Sequence, residues 1–309
     1  MEWFIRLCGW SSIIGIIAIF LFIFKEALPM IPKLDWGHFF TSPRWIPNPA
    51  PGNPASFGAL ALLVGTFTTT FIALILAVPI GLGAAVYVSE FATGKVKETL
   101  KIVIELLAAI PSIVWGFIGL MVLGPIIKSI FSAAPGSWWG HVMVTLHLAS
   151  SESGAAQGTN LLTGGIILAL MSVPLVVSLS EDALRAVPDS YREAALALGA
   201  NTWETVRRVL FPAARNGLLA ACMLGMGRAI GETMAVLLAT GHSNRIPEAL
   251  TDPVRTITAT IAAEMGETVH GDEHYRVLFI LGIVLFIITC GINVAADLIV
   301  KGVKKANKA

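Results

Sequence analysis

The sequence predicts an all-α protein that crosses a membrane six times. Only 13% of the 309 residues are charged and 55% are hydrophobic, with a mean hydropathy of +0.77. Soluble proteins carry about 25% charged residues. A helix needs about 20 apolar residues to cross the hydrocarbon core of a bilayer. Six runs of that kind are present, and they occupy about residues 7–24, 57 onward, 106–127, 161–180, 216–240 and 277–300.

The composition also limits the class of partner. The net charge is +1, from 21 Lys and Arg against 20 Asp and Glu, so no excess of positive charge is available to attract nucleic acid. The three cysteines, Cys8, Cys222 and Cys290, lie far apart in apolar runs. This distribution fits neither a disulfide framework nor a metal site, and we expect packing or lipid-facing roles for them.

The first two apolar runs differ in what they predict. The first is longer than the apolar core of a signal peptide and offers no small-residue cleavage site after Lys25, which predicts a retained membrane helix. The second is too long for one straight span. Pro79, which is followed by Gly81 and Gly83, predicts that the run kinks or leaves the membrane at that point, and an interfacial turn is the favoured prediction.

The distribution of positive charge predicts that both termini lie in the cytoplasm. Most of the 21 Lys and Arg residues fall in segments that are cytoplasmic when the amino terminus is inside. This topology places aromatic anchors in the outer loops near span ends, namely Trp36, Trp45, Trp138 and Trp139. The outer segment 25–56 is rich in proline, which predicts an extended linker.

These features divide the chain into three parts. Residues 1–56 form a first membrane helix with a Pro-rich outer loop, and residues 57–300 form a core of five membrane helices. Residues 301–309 form a basic cytoplasmic tail. The core contains the longest inner segment, residues 181–215, which we call the 181–215 loop.

The first half of the 181–215 loop is predicted to be helical. Ser190 and Glu193 have the spacing of a capping box, in which the hydroxyl and the carboxylate each accept a backbone N–H. This pair predicts that a helix begins at Ser190. Gly199 is predicted to end it, because glycine readily adopts the left-handed conformation of a helix terminus.

The second half of the 181–215 loop predicts another helix. Asn201 with Glu204 offers a second capped start, and Pro212 is predicted to end this helix. The loop is therefore expected to consist of two helices joined by a glycine bend. From these residues alone, an ordinary amphipathic segment on the membrane surface is the alternative interpretation.

Two charged residues lie within the fifth apolar run. Arg228 and Glu232 each cost about 2.5 to 3.5 kcal/mol at the centre of a bilayer, so an interaction must offset them. Their spacing places both on one helix face, where they can form an ion pair, and Gly227 with Gly231 allows another backbone to approach. One interpretation is a structural ion pair. The other is an anion path, in which Arg228 binds an oxyanion and Glu232 holds Arg228 when the path is empty.

The 181–215 loop resembles a motif of a known family. The spacing of Glu193, Ala194, Ala195, Gly199 and Pro212 is similar to the EAA loop of permease subunits in binding-protein-dependent ABC importers. The resemblance implies a type I ABC importer permease fold, in which this loop docks into a groove of a cytoplasmic ATPase. It therefore implies that these five residues couple the chain to the ATPase.

The fifth run carries a more specific resemblance. Residues 227–235 read GRAIGETMA and resemble the G-R-A-x-G-E-T-M-A stretch of phosphate ABC transporter permeases of the PstC type. The likeness extends over about residues 57–297, including the outer segment 256–267. It implies an anion-path role for Arg228 and Glu232. It also implies a heterodimer with a second permease of the PstA type, two ATPase subunits and an extracytoplasmic phosphate-binding protein.

Other functions are weighed against the phosphate permease. No G-x-x-x-x-G-K-[ST] phosphate loop is present, so we expect no cofactor in this chain, and ATP and Mg²⁺ to be bound by the partner ATPase. A permease for sulfate, molybdate or a phosphonate, an ion-coupled secondary transporter and an intramembrane enzyme are the alternatives. We expect solvated loop residues rather than a metal site at His270, Asp272, Glu273 and His274.

Overall fold

The chain folds as a bundle of long helices. The computed structural model describes residues 2–50, 52–132, 142, 144–148 and 158–306, so Trp138, Trp139 and the end of the basic tail, residues 307–309, lie outside the described residues. Within these described residues, six helical segments are long and apolar enough to cross a membrane, which confirms the predicted number: Arg6–Ala27, Leu60–Phe91, Ser112–Phe131, Leu161–Arg185, Thr202–Ile230 and Glu273–Leu298.

Within the described ranges the regular elements follow one another in a simple order. The α-helices are α1 (Glu2–Ala27), α2 (Trp36–Thr41), α3 (Leu60–Val86), α4 (Gly94–Ala109), α5 (Ser112–Ile118), α6 (Gly124–Phe131), α7 (Leu161–Arg185), α8 (Asp189–Ala197), α9 (Thr202–Thr205), α10 (Phe211–Ile230), α11 (Met234–Ala239), α12 (Ile257–Glu264) and α13 (Glu273–Ala306). Wider π turns continue three of these helices, at Tyr87–Phe91, Gly119–Leu123 and Val206–Leu210. Two short strands, β1 (Trp45–Ile46) and β2 (Ser56–Phe57), pair antiparallel.

Helix α7 lies at the centre of the bundle. In its most apolar stretch of 18 residues 67% are buried, against 28–33% in the second, third, fifth and sixth spans and 0% in the first. Small residues allow α3 to pack closely against α7, since a Cβ on Gly81 of α3 would meet Val176 of α7 at 2.7 Å. Helix α1 lies at the periphery, where Phe20 packs edge-to-face on Phe286 of α13 at 4.6 Å.

The interfacial turn predicted at Pro79 is wrong. Helix α3 continues through Pro79 to Val86 and then through the π turn to Phe91. A proline inside a membrane helix removes one backbone hydrogen bond. Leaving the helix in the bilayer would expose several backbone groups, so the continuous helix costs less.

Two span boundaries also differ from the predicted ones. The third span begins at Ser112, because Pro111 separates it from α4, whose 16 residues include none that is buried. The fifth span ends at Ile230, and the chain leaves the helix at residues 231–233 before α11 begins. The predicted continuous fifth span over 216–240 is therefore wrong.

The proline-rich segment 25–56 is packed and is not the extended linker that its composition predicts. Asp35 caps α2 by accepting a hydrogen bond from the His38 backbone N–H at 3.1 Å. Phe39 and Trp45 are fully buried, and β1 pairs with β2 so that Trp45 lies opposite Phe57. The apolar residues between the prolines therefore bury themselves against α3 and α13.

Candidate functional site

The first helix of the 181–215 loop starts one residue earlier than predicted. Helix α8 begins at Asp189 after Pro188, and no side chain caps its first turn, so the predicted Ser190–Glu193 capping box is wrong. Pro188 has a φ of −56° and stops α7 from continuing into α8. Ser190 therefore lies inside the first turn, where its hydroxyl cannot take the capping position.

The glycine bend and the second helix start are confirmed. Gly199 has a φ of +82°, a conformation that costs other residues about 1 kcal/mol. Asn201 Oδ1 accepts from the Glu204 backbone N–H at 2.9 Å, and the Asn201 backbone N–H donates to Glu204 Oε2 at 3.0 Å. This reciprocal pair is a complete capping box.

Pro212 does not end the second helix as predicted. The chain continues from α9 through the π turn Val206–Leu210 into α10, and Pro212 lies in the first turn of α10. The π turn shifts the hydrogen-bond pattern so that the missing N–H of Pro212 leaves the helix unbroken. The second helix of the 181–215 loop is thus the beginning of the fifth span.

An apolar surface covers the 181–215 loop. Leu198 is 90% exposed, and Tyr191, Leu196 and Trp203 are each more than half exposed. Among the residues of the EAA pattern, Glu193, Ala194, Gly199 and Pro212 are exposed and Ala195 is buried. An open cavity of about 340 Å³ lies beside this surface, lined by Ser190, Tyr191, Ala194, Ala195, Leu198 and Val209. An exposed apolar patch of this kind is typical of a protein interface.

Arg192 connects the 181–215 loop to the end of α3. Its Nη2 donates to Glu90 Oε1 at 2.9 Å and its Nε donates to Glu90 Oε2 at 3.2 Å. The hydrogen bonds with Glu90 raise the pKa of Arg192 above its ordinary value, although burial opposes this. Sequence reasoning missed the pair, because 102 residues separate its members.

Arg228 is exposed and lies in the last turn of α10. Within the ranges that the structure describes, Arg228 makes no ion pair with Glu232 and no hydrogen bond. The carboxyl end of a helix favours a cation, and the guanidinium is free to bind an anion. The predicted Arg228–Glu232 pair on one helix face is therefore not formed, because the helix ends between the two residues.

Glu232 caps the next helix instead. Its Oε1 accepts from the backbone N–H groups of Thr233 at 3.1 Å and Ala235 at 3.4 Å, at the start of α11. The Glu232 carbonyl accepts a hydrogen bond from Thr258 Oγ1 of α12 at 2.6 Å. The backbone groups left unpaired at the break between α10 and α11 thus find partners in the Glu232 side chain and in the neighbouring helix α12.

Gly227 and Gly231 leave one face of α10 open. A Cβ on Gly227 would lie 4.0 Å from Asn293 Oδ1, and one on Gly231 would meet only the carbonyls of its own helix. In the described part of this chain, the close backbone approach predicted at these glycines is absent. The face that carries Arg228 is therefore open to a second chain or to a polar path.

A second arginine lies in a buried polar cluster at the opposite end of α7 from the 181–215 loop. We call this cluster the Arg255 network, and it consists of Trp45, His242, Asn244, Arg255, Glu264 and His274. Arg255 Nη2 lies 2.8 Å from Glu264 Oε1, and its Nε donates to His242 Nε2 at 2.8 Å. Its third nitrogen, Nη1, donates to Asn244 Oδ1 at 2.9 Å.

Two other members of the Arg255 network contact the carboxylate of Glu264. Trp45 Nε1 donates to Glu264 Oε2 at 2.9 Å, and His274 Nε2 lies 2.8 Å from the same oxygen. His274 is buried, so the prediction that it is a solvated loop residue is wrong. Burial, with a smaller contribution from Arg255, lowers the pKa of His242 to about 4, and the imidazole is therefore neutral at pH 7.

The comparisons with known proteins agree with this architecture. Residues 77–306 match the family described as the binding-protein-dependent transport system inner membrane component. The chain belongs to this family. It is a multi-pass inner-membrane component of a transport system, and not an enzyme.

Several relatives share most of the chain. The phosphate transport system permease protein PstC of Mesorhizobium japonicum is 39% identical over 259 residues, which are 81% of this chain and 74% of the relative. The protein PstC 1 of Mycobacterium bovis is 37% identical over 91% of this chain and 86% of its own length. The probable ABC transporter permease protein YqgH of Bacillus subtilis is 35% identical over 91% of this chain and 84% of its own.

Solved structures share the fold at low identity. A bacterial ABC transporter in complex with an alginate-bound periplasmic protein matches with a TM-score of 0.59 at 14% identity, over 96% of this chain and 93% of that one. The inward-facing MetNI methionine ABC transporter matches with a TM-score of 0.57 at 20% identity, over 79% of this chain and 96% of that one. The predicted type I ABC importer permease fold is therefore confirmed.

Proposed function

We propose that this chain is the permease subunit of an ATP-driven importer that moves inorganic phosphate across the bacterial inner membrane. One observation carries the choice of cargo. Relatives named as phosphate permeases of the PstC type are 36–39% identical over four-fifths or more of this chain. The exposed Arg228 supports an anionic cargo, because a guanidinium matches the oxygens of phosphate with two parallel hydrogen bonds.

The proposed assembly contains four kinds of subunit. This chain pairs with a second permease of the PstA type, and two copies of a cytoplasmic ATPase bind ATP and Mg²⁺. An extracytoplasmic phosphate-binding protein delivers the cargo. Both termini and the 181–215 loop lie in the cytoplasm, which agrees with the excess of Lys and Arg in those segments.

The proposed docking surface for the ATPase is the apolar patch of the 181–215 loop. Leu198 and Trp203 supply exposed apolar area, and Glu193 and Ala194 lie exposed on α8 beside them. Gly199 and the Asn201–Glu204 capping box hold α8 and α9 at a fixed bend. A bend held by local hydrogen bonds transmits a movement of the ATPase to the membrane helices with little loss.

The proposed transport cycle is alternating access. When ATP binding closes the two ATPases, the 181–215 loops move and the helices open outward, so that the binding protein releases phosphate towards Arg228. The path returns to the inward-open state after hydrolysis and releases phosphate to the cytoplasm. Glu232 holds Arg228 when the path is empty and phosphate displaces it, which requires a change of the present side-chain contacts of Glu232 with α11.

The decisive experiment is uptake of labelled phosphate by proteoliposomes that contain the whole assembly, with ATP inside and the binding protein outside. Excess sulfate, molybdate or a phosphonate is added in parallel. ATP-dependent uptake that resists these competitors is expected. Uptake displaced by one of them would assign that oxyanion as cargo. Uptake that persists without ATP but follows an ion gradient would instead indicate a secondary transporter.

A further inference from the structure

The ion pair between Arg192 and Glu90 joins the 181–215 loop to a membrane helix that is not its neighbour along the chain. The loop is covalently continuous with α7 at one end and with α10 at the other. Glu90 belongs to the π turn that ends α3, and α3 has no covalent link to the loop. Without such a contact, a movement of the loop reaches the end of α3 only through side-chain packing.

The guanidinium of Arg192 is a centre where three elements meet. Besides Glu90, it donates to the carbonyl of Leu184 in the last turn of α7 at 3.0 Å and to the carbonyl of Val187 just after α7 at 2.9 Å. It also donates to Asp189 Oδ1 at 3.1 Å on α8 itself. Arg192 therefore holds α8, the end of α7 and the end of α3 in one arrangement, which a single short side chain cannot do.

Ser89 and Lys97 help to position Glu90 independently of Arg192. Ser89 Oγ donates to Glu90 Oε1 at 2.7 Å, and Lys97 Nζ of α4 donates to the Ser89 carbonyl at 3.3 Å. The π turn directs the carboxylate towards α8, where its side chain is only 10% exposed and that of Arg192 is 19% exposed. Water therefore weakens this pair less than it weakens a surface ion pair.

We propose that the Arg192–Glu90 pair is the joint that makes the cytoplasmic end of α3 move together with the 181–215 loop when the ATPases close. The inference rests on the proposed function, because it assumes an ATPase that moves the loop. Arg192 and Glu90 are positioning residues in this scheme, since neither is proposed to touch phosphate or ATP. The joint brings α3 into the same movement as α7 and α10.

The joint is tested by measuring the distance between α8 and α3 in the complete assembly. Spin labels are attached to cysteines at Tyr87 and Ser190, both exposed, in a chain whose own cysteines are replaced by serine. The distance is recorded without nucleotide and after ATP is trapped with vanadate. We expect one narrow distance in the parent chain, unchanged within about 2 Å because the pair holds α8 on the end of α3. A one-turn shift of one helix past another would change the distance by about 5 Å.

Glu90→Ala is expected to break the joint. The distance should then differ between the two nucleotide states, and the phosphate transported per ATP hydrolysed should fall about tenfold, since charge-assisted hydrogen bonds of this strength are lost. Glu90→Gln keeps an oxygen that accepts from Arg192 and should retain part of the narrow distance. Asp189→Asn is the matched control, because it removes the charge of another partner of the same guanidinium but leaves α8 bound to α3.

Four results decide the test, and one of them separates the joint from the proposed function. A distance that already changes with ATP in the parent assembly would overturn the joint, and so would a distance that stays fixed in Glu90→Ala. A parent assembly that keeps the distance fixed but transports no phosphate would reject the cargo and leave the joint supported. If Asp189→Asn and Glu90→Ala lose phosphate transport per ATP hydrolysed to the same extent, Arg192 only stabilises α8, which contradicts the joint.

Discussion

Two arginines of this chain have opposite environments. Arg255 is buried, and each of its three side-chain nitrogens has a partner in the Arg255 network. Arg228 is exposed in the last turn of α10, and no partner for it occurs among the residues that the structure describes. Both lie within residues 77–306, which the family match covers. Their difference separates an arginine that holds the fold from one that is available to a ligand.

The difference follows from what each local structure leaves unpaired. Around Arg255, a carboxylate, an imidazole and an amide converge from different segments, so its charge is neutralised before any ligand arrives. Around Arg228, the break after Ile230 turns Glu232 towards α11 and away from the guanidinium. A charge that remains uncompensated at membrane depth is costly, and such residues usually mark a transport path or a partner contact.

The largest effect is expected from Arg255→Met. Removing one member of a buried ion pair leaves Glu264 uncompensated, which costs about 3 to 5 kcal/mol. Thermal unfolding of the purified chain in detergent should shift to lower temperature, and less assembled transporter should form. Uptake per assembled complex should stay near the parent value. If uptake per complex falls while stability is unchanged, Arg255 acts on the cargo and the distinction between the two arginines is wrong.

Removal of both charges sharpens the Arg255 result. Arg255→Met combined with Glu264→Gln leaves no unpaired ion in the Arg255 network, and His274 and Trp45 can still contact the amide. This double variant should recover part of the lost stability, because the uncompensated charge causes most of the loss. If the double variant loses more stability than the two single variants lose together, the polar contacts, and not the charge, dominate the stability of the Arg255 network.

Arg228→Gln is expected to have the opposite pattern. Uptake should fall about 10- to 100-fold, since the lost charge-assisted hydrogen bonds to an anion are worth about 1.5 to 3 kcal/mol. Stability should change by less than about 0.5 kcal/mol, as at other exposed positions. Arg228→Lys keeps the charge but loses the planar guanidinium, so its uptake should lie between that of the parent chain and that of Arg228→Gln. Lower stability with normal uptake per complex would favour a structural ion pair with another chain.

The comparison also shows which features the sequence alone predicts. The number of spans, the left-handed Gly199 and the Asn201–Glu204 capping box depend on residues close together in the chain, and the structure confirms them. The residues that resemble the family motifs, including Arg228 and Glu232, were found in the same way. Their proposed roles in transport stay predictions.

The wrong predictions arise where the surroundings of a residue override its local signal, and some of these surroundings are distant in sequence. Pro79 and Pro212 read as breaks, but the membrane and a π turn keep both helices continuous. The break after Ile230 has a weak local signal, and its open carbonyl at Glu232 is satisfied by Thr258, 26 residues away. Arg192 and Glu90 likewise meet across 102 residues, and no local pattern predicts that contact.

A smaller effect is expected at Glu232, where the cap and the charge can be separated. Glu232→Gln keeps an oxygen that accepts from Thr233 and Ala235, so stability should stay nearly unchanged. Glu232→Ala removes the cap and should cost about 1 kcal/mol. If Glu232 competes with phosphate for Arg228, both variants should alter the concentration dependence of uptake. An effect of Glu232→Ala alone would restrict Glu232 to capping α11.

The smallest effect is expected from His242→Gln, and it concerns pH. Because the folded-state pKa of His242 is about 4 and the ordinary value is 6.5, the unfolded chain binds a proton in this interval that the folded chain does not. The stability that depends on neutral His242 is therefore complete above pH 6.5 and is lost as the pH falls towards 4. Glutamine accepts from Arg255 but does not titrate, so the fall in unfolding temperature between pH 7 and pH 5 should be smaller by about 2 °C. Glu264 and His274, the other titratable groups of the Arg255 network, are unchanged in the variant. Equal falls in both chains would show that Arg255 does not depend on a neutral partner, and the Arg255 network would then hold its charge through Glu264 alone.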